Sequence, residues 1–297
     1  MAIKLGGGGS SSQIGEVVLL NRLENVVTLA DGRVYLKAGV VETTTSTYPD
    51  APTSFVNTDS FSVSSQETSP YGLAYDGTYL WVAGGAGDDV TKWSTAGVYQ
   101  NVSFSTASQD GLVFGLEFDG TNFWASGYLT NKIYKYNSSG VYQNSYIDVS
   151  SQTTTPYNLT STGVHLWVIG RTEATIFKYD LNGNYQNVSF SVAAQESSPS
   201  SIEWDGANFW VGGSTGNVYK YNGSGVYQNE LFKVGNQITT LNGVRWDGTN
   251  FWALSQDPDS VFKYQLGIGL AKIPTGGSHS MTSDMVYLGA EAYMRVK

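Results

Sequence analysis

Cysteine is absent from the 297-residue chain, histidine occurs twice and methionine four times. Without cysteine no disulfide framework can staple the fold, and two histidines exclude nearly every zinc or iron–sulfur site. Charge is scarce as well. Asp, Glu, Lys and Arg make up 14% of the residues, and 25 acidic against 16 basic side chains give a formal net charge of −9. A nucleic-acid binder needs a basic face to displace counterions from phosphate, so that class is excluded too. The apolar runs fall far below the roughly 20 residues of a membrane span, and no membrane insertion is expected. The opening MAIKLGGGGSSSQIGEVVLL also lacks the apolar core of about 7–15 residues that an export signal requires, because Gly6 to Gly9 and Ser10 to Ser12 interrupt it. Synthesis in a cytosol with no signal peptide is therefore expected, and the sequons at Asn101, Asn137, Asn158, Asn187 and Asn222 read as turn and strand asparagines. What the chain does have is aromatic surface: 8 Trp, 20 Tyr and 12 Phe, alongside 35 Gly. That composition excludes disorder and favours strands joined by turns.

The aromatic residues recur on a period. Five segments read YDGTYLW (Tyr75–Trp81), FDGTNFW (Phe118–Trp124), STGVHLW (Ser161–Trp167), WDGANFW (Trp204–Trp210) and WDGTNFW (Trp246–Trp252). Their closing tryptophans are 43, 43, 43 and 42 residues apart. Lys92, Lys135, Lys178, Lys220 and Lys263, each before an aromatic residue, keep nearly the same steps, as do Gln66, Gln109, Gln152, Gln195 and Gln237. Each unit divides into about four strand-length pieces, called a to d from the centre outward. In the second unit they are VFGLEF, NFWASG, NKIYKYN and VYQNSYIDVS, and Asp-Gly, a tight-hairpin dipeptide, joins the first two. No segment carries helical periodicity. Four antiparallel strands per repeat of about 43 residues predict the blades of a β-propeller, an all-β fold.

The ends set the blade count. The last unit has pieces a, b and c but no d, while an orphan d-like piece, Phe61 to Gln66, precedes the first unit. Five blades are expected, with the N-terminal piece completing the last one and closing the ring. Closure by Leu266–Ile273 is the alternative. The predicted organisation is an attachment segment with linker over 1–56, a five-bladed propeller over 57–267 and an extension over 268–297.

Comparing repeats separates scaffold from surface. The strand-b tryptophans and the series Leu73, Leu116, Leu159, Ile202, Val244 are expected to fill the spaces between blades. Asp76, Asp119, Asp205 and Asp247 serve the hairpins, and the recurring lysines are expected to pair with them. The d–a and b–c loops emerge on one rim. Gln66, Gln109, Gln152, Gln195 and Gln237 sit in the d–a loops, where they either read sugar hydroxyls or hold the loop by bonding backbone groups. The b–c loops share little chemistry, and variable loops on a rigid ring are where specificity is written. Tyr128, Arg171, Glu173, Asp257 and Asp259 are the ligand-binding candidates there. No metal ligands, cofactor site or phosphate-binding loop is predicted. His165 and His279 make poor triad members. The innermost strands place Glu117 and Glu203 beside Ala74, Thr160 and Arg245, so a paired-carboxylate site is the enzymatic alternative to a chain expected not to be an enzyme.

The flanks carry a resemblance. The opening MAIKLGGGGSSSQIGEVVLLNRLENVVTLADGRVYLKAGVVETTT resembles the N-terminal attachment segment of bacteriophage tail-fibre proteins, and EAYMRVK is similar to tails of such proteins. Asp31-Gly32 marks a hairpin in the first flank. The propeller resembles five-bladed carbohydrate-binding propellers of the tachylectin type in blade number, with a different repeat motif. The resemblance implies a virion tail component, attached to other tail proteins through residues 1–56, often as a homotrimer, and presenting its propeller to a host-surface glycan. A purely structural docking ring or spacer is the alternative, and a glycan-cleaving enzyme a further one.

Overall fold

The computed structural model describes residues 55–266 apart from 86–88 and 235–236, together with five short flanking strands. Val26–Thr28 pairs antiparallel with Val34–Leu36, on either side of Asp31-Gly32 in the sequence. Leu270–Ile273 and Met285–Leu288 both pair with Glu291–Arg295, which is the middle strand of three. The compact unit is Phe55–Gln265. Among the described residues there is no helix.

This unit is a five-bladed propeller, each blade a four-stranded antiparallel meander. Blade 2 runs Val113–Phe118, Asn122–Gly127, Lys132–Asn137 and Tyr142–Asp148 from inside to outside. The innermost strands of the other blades are Pro70–Tyr75, Pro156–Ser161, Pro199–Trp204 and Leu241–Trp246, and each lies beside its neighbours around the ring. Blade 5 takes its outermost strand, Phe55–Ser62, from the N-terminal side, next to Asp259–Leu266. The ring therefore closes as the repeat count predicts. The closing strand lies six residues earlier than the sequence pattern placed it. Residues 63–66 are a turn instead, with the amides of Gln66 and Glu67 both donating to the Val63 carbonyl at 3.0 and 2.9 Å. Leu270–Ile273 takes no part in closure, being paired with Glu291–Arg295.

The recurring residues have mechanical reasons to recur. Asp119 Oδ1 accepts the amides of Thr121 and Asn122 at 2.9 and 2.7 Å, while its Oδ2 accepts the indole N–H of Trp124 at 2.7 Å. Asp76, Asp205 and Asp247 hold Trp81, Trp210 and Trp252 in the same way. One carboxylate thus shapes the turn and anchors the buried ring. Gly120 follows at φ +93°, a value that only glycine adopts without strain. The tryptophans then seal the blade junctions: Trp81 packs edge-on to Phe123 of the next blade, as Trp167 does to Phe209 and Trp210 to Phe251.

The lysines do not pair with the turn aspartates. Each lies across the hairpin over its cross-strand tryptophan, from 5.0 Å for Lys92 over Trp81 to 5.5 Å for Lys220 over Trp210. The strand register sets Lys92 opposite Trp81, a cation–π geometry that the more distant turn cannot offer. The asparagines of the V-Y-Q-N motif also have a use. Asn101, Asn144, Asn187 and Asn229 adopt φ between 51° and 56°, where the pairing of strands c and d shifts register. Asn137 and Asn222 instead accept amides within the c–d turns.

Blade 3 tests this account, because Thr162 stands where the other blades have aspartate. Asp119→Ala removes the acceptor of two amides and the indole anchor, and urea unfolding is expected to show a loss of about 1–3 kcal/mol. Thr162→Asp should install the missing anchor for Trp167 and raise stability by about 0.5–1.5 kcal/mol. A midpoint lowered by Thr162→Asp would show that the aspartate is turn chemistry alone.

Candidate functional site

Equivalent positions of the five innermost strands form rings about the central channel. The fifth position holds Ala74, Glu117, Thr160, Glu203 and Arg245, all buried. Arg245 is 2% exposed and spans the channel. Its Nη1 donates to the carbonyls of Ile202 and Val244 at 2.8 and 2.9 Å. Its Nη2 donates to the Leu159 carbonyl at 3.0 Å and to that of Leu116. These carbonyls come from one register position in blades 2, 3, 4 and 5, so a single side chain ties four innermost strands together.

Two carboxyls flank that guanidinium, Glu203 at 3.1 Å and Glu117 at 3.3 Å. Each also takes an amide from the next blade: Ser161 N–H to Glu117 Oε1 and Trp246 N–H to Glu203 Oε1, both at 2.9 Å. Burial raises Glu117 to about 8 and Glu203 to about 7, with Arg245 opposing both shifts. Glu203 has the nearer guanidinium nitrogen and a Thr160 hydroxyl besides its amide, so it is the first of the two to ionise, and around neutral pH the charge sits on Glu203 and the proton on Glu117. That distribution leaves the buried cluster neutral, the only state that avoids stranding a charge away from water.

Nearer the loop rim, side-chain amides and hydroxyls stitch the blades. Asn158, 0% exposed, donates to the carbonyls of Ser200 and Asn242 at 3.2 and 2.9 Å, and Asn242 donates to that of Pro70 at 3.0 Å. The second strand position carries Tyr71, Phe114 and Tyr157 in blades 1 to 3, but Ser200 and Asn242 in blades 4 and 5. The channel mouth is therefore lopsided. Phe114 touches Tyr71, Tyr128 and Tyr157 at ring separations of 4.5, 4.6 and 4.5 Å. The Arg171 guanidinium lies 4.3 Å over the Tyr157 ring, and its Nε donates to Ser198 Oγ at 3.0 Å. Gln256 donates to the Tyr71 hydroxyl at 3.2 Å. Tyr71, Tyr128, Leu112 and Arg171 each keep part of their surface in solvent. Together they make an aromatic bowl with one cation on its wall.

Of the residues singled out from sequence, Tyr128 and Arg171 meet at this bowl through Phe114 and Tyr157. Glu173 turns away, accepting the Thr153 hydroxyl at 2.8 Å. Asp257 sits in the tight blade 5 turn beyond Gln256, and Asp259 opens the next strand opposite Gln256. Asp257 is exposed, and Asp259 is raised by burial and by Asp257 beside it. The d–a glutamines divide. Gln109, Gln152 and Gln195 accept the hydroxyls of Tyr136, Tyr179 and Tyr221 at 3.0, 2.8 and 3.1 Å, so their side-chain partner is a strand-c tyrosine rather than backbone. Gln66 and Gln237 are exposed.

The residue after each glutamine had been passed over. Asp110 and Glu196 reach into the b–c loop of their own blade and take the Thr130 and Thr215 amides and hydroxyls. In blade 3 the polarity is reversed, Thr153 meeting Glu173 of the loop. These buried contacts give the variable loops a fixed base. Tyr71, Phe114 and Tyr157 were also missed, although their shared place at the start of strand a was visible in the repeat alignment. Among the described residues no group of His, Cys, Asp or Glu is placed to hold a metal ion.

No protein-family model matches the chain, and none of the curated proteins matches it. Solved structures do. Glutaminyl cyclase from Myxococcus xanthus aligns at 12% identity over 72% of this chain and 97% of its own, with a TM-score of 0.54. Virginiamycin B lyase from Staphylococcus aureus aligns at 15% identity over 80% of this chain and 81% of its own, with a TM-score of 0.42. These structures lend no support to the tail-fibre resemblance, which rests on the sequence of the flanks. The expectation that the chain is not an enzyme is corrected as well: glutaminyl cyclase shares this fold and is an enzyme, so a non-catalytic chain does not follow from the fold. At these identities the likeness shows the fold, a β-propeller, and transfers no reaction.

Proposed function

We propose that the propeller is the recognition head of a virion tail-fibre-type protein and binds a host-surface glycan on its loop rim. The observation that carries this reading is the bowl of Tyr71, Phe114, Tyr128 and Tyr157 with Arg171 on its wall. The partly exposed rings of Tyr71 and Tyr128 offer faces to the C–H surfaces of sugar rings, with the buried Phe114 and Tyr157 behind them, and the two tyrosine hydroxyls and the guanidinium offer directional hydrogen bonds. The bowl also breaks the repeat, because blades 4 and 5 carry Ser200 and Asn242 where blades 1 to 3 carry its rings. The attachment role of residues 1–56 and a trimeric state are supported by the sequence resemblance of the flank.

Binding of the intact protein to host cells and to purified surface polysaccharide tests the reading. Tyr128→Ala combined with Arg171→Ala is expected to weaken binding at least about tenfold, since aromatic and arginine contacts dominate small interfaces. Undiminished binding by that double variant would remove the rim from consideration. A second reading has its own observation, the two raised carboxyls beside Arg245 in the channel. It assigns polysaccharide cleavage to Glu117 and Glu203, and reducing ends released by the wild type but not by a folded Glu203→Gln variant would establish it.

A further inference from the structure

The five blade junctions are not equivalent on the loop rim. At the junction of blades 3 and 4, Arg171 fills the space, stacked on Tyr157 and bonded to Ser198 of the next d–a loop. One repeat later, 43 residues on, the corresponding residue is Ser214. The b–c loop of blade 4 is Gly213-Ser214-Thr215-Gly216, with no long side chain to reach across. A cavity of about 500 Å³ opens there, lined by Ser214, Thr215, Asn217, Lys233, Ile238 and Leu241 among others. That volume lies within the roughly 300–1,000 Å³ typical of small-molecule sites.

Its walls differ in kind. Ile238 and Leu241, both almost fully buried, supply the apolar part of a lining that is otherwise polar. Ile238 stands where the preceding d–a loops have Glu67, Asp110, Thr153 and Glu196. No acid therefore stands on the d–a side of the cavity, while on its b–c side Ser214 and Thr215 are held by the Glu196 carboxylate. Lys233 stands where the other outer strands have Ser62, Ser105, Asp148 and Ser191. In blade 2 the cross-strand partner at this position makes an opposite-charge couple, Lys132 with Asp148. In blade 4 the partner is the neutral Asn217, whose Nδ2 is turned to the Tyr219 hydroxyl at 2.9 Å, leaving its carbonyl oxygen as an acceptor. Lys233 has no ion-pair partner among the described residues, and the cavity acquires a free cation.

We infer that the junction of blades 4 and 5 is a subsite for an acidic sugar residue, whose carboxylate meets Lys233 while its ring lies on Ile238 and Leu241; this rests on the reading of the loop rim as a glycan-binding face. The apolar part of the lining suits the C–H face of a pyranose, and glycines 213 and 216 bring backbone close to its hydroxyls. A lone ammonium in the same cavity selects one negative charge at the ring's edge. The cavity adjoins the bowl in sequence and in space: Leu241 in its lining precedes Asn242, whose side-chain oxygen lies 3.5 Å from the Tyr157 hydroxyl. One oligosaccharide can thus place a neutral residue in the bowl and an acidic one at the junction.

The test is calorimetric titration of the full chain with two probes, a glucuronate-containing oligosaccharide and an uncharged glucose oligosaccharide of equal length. The wild type is expected to prefer the glucuronate probe, and added salt should reduce that preference. Lys233→Gln should lower affinity for the glucuronate probe at least tenfold while leaving the neutral probe and the unfolding midpoint unchanged. Ser214→Arg, which refills the junction as Arg171 does one blade earlier, should weaken the glucuronate probe by occupying the cavity. Equal affinity of the wild type for both probes overturns the subsite, as does glucuronate binding indifferent to both variants. In either case, binding that Tyr128→Ala still weakens leaves the rim reading intact, whereas binding indifferent to Tyr128→Ala removes that reading as well.

Discussion

Arg245→Met is expected to lower the free energy of unfolding by about 3–5 kcal/mol, the cost of removing one partner from a buried ionic group. For a propeller of this size that is a fall of roughly 6–20 °C in Tm. The loss has two parts. Glu203 would be left as a buried carboxylate without its cation, and four carbonyls from four blades would lose a shared donor. Glu117→Gln and Glu203→Gln added to Arg245→Met should recover the first part and not the second. A triple variant no more stable than the single one would mean that the carbonyl contacts carry the whole effect.

The same cluster fixes a pH dependence whose sign can be worked out. Burial raises both carboxyls above their ordinary range, to about 8 and about 7. Between pH 4.5 and these values the folded chain binds more protons than the unfolded one. The stability they contribute is complete below about pH 4.5 and is lost as pH rises through 7 to 8, at up to about 1.4 kcal/mol per pH unit for each proton. Glu67, raised to about 7 by burial and by Asp89, adds to the same trend. Because Arg245 opposes the upward shifts, its removal should raise both carboxyls further. The deficit of Arg245→Met should then grow as pH rises through 7 to 8 in urea unfolding. A constant deficit over that interval would contradict the charge placed on Glu203.

Much of the fold was legible because its determinants are local and repeated. The turn aspartate, its glycine and the tryptophan five residues on are one hydrogen-bonded unit, so they had to recur together. The closing strand was legible from the unequal ends, but its position slipped by six residues. Strand d has few buried side chains, and its Ser/Val pattern continues into the turn at residues 63–66 without a break. The channel was less legible. Ala74, Glu117, Thr160, Glu203 and Arg245 could be aligned in one register from sequence, yet nothing in their spacing says that one guanidinium reaches four other carbonyl-bearing strand positions. Alignment supplies neighbours along a strand, whereas reach across a ring depends on the radius of the channel. The loop rim lies between these cases. Tyr128 and Arg171 stood out as bulky residues in variable loops, but Phe114, through which they meet, looked like one more strand aromatic. Glu173 stood out equally and is occupied by Thr153, because the acid that locks its loop has moved from one side of the contact to the other.

Ring closure should have the largest effect of all. Phe55 is buried with its ring 4.7 Å from Phe251, 5.1 Å from Phe232 and 5.9 Å from Trp210, and it bridges the junction of blades 4 and 5. Phe55→Ala leaves a cavity among rings that cannot collapse onto one another, and a loss of about 3–5 kcal/mol is expected. Removing residues 1–62 goes further. It strips the outermost strand from blade 5 and exposes the edge of Asp259–Leu266, a row of unpaired amides and carbonyls that invites a second chain. That truncation is expected to aggregate or to exchange strands between copies, seen as dimers and larger species in size-exclusion chromatography with light scattering. Removing only residues 1–54 leaves the closing strand in place, and the propeller should keep its Tm. A monomeric 63–297 fragment with an unaltered Tm would mean that closure rests on the innermost strands alone. The contrast between cuts eight residues apart separates the two, because both remove the same flank and only one opens the ring.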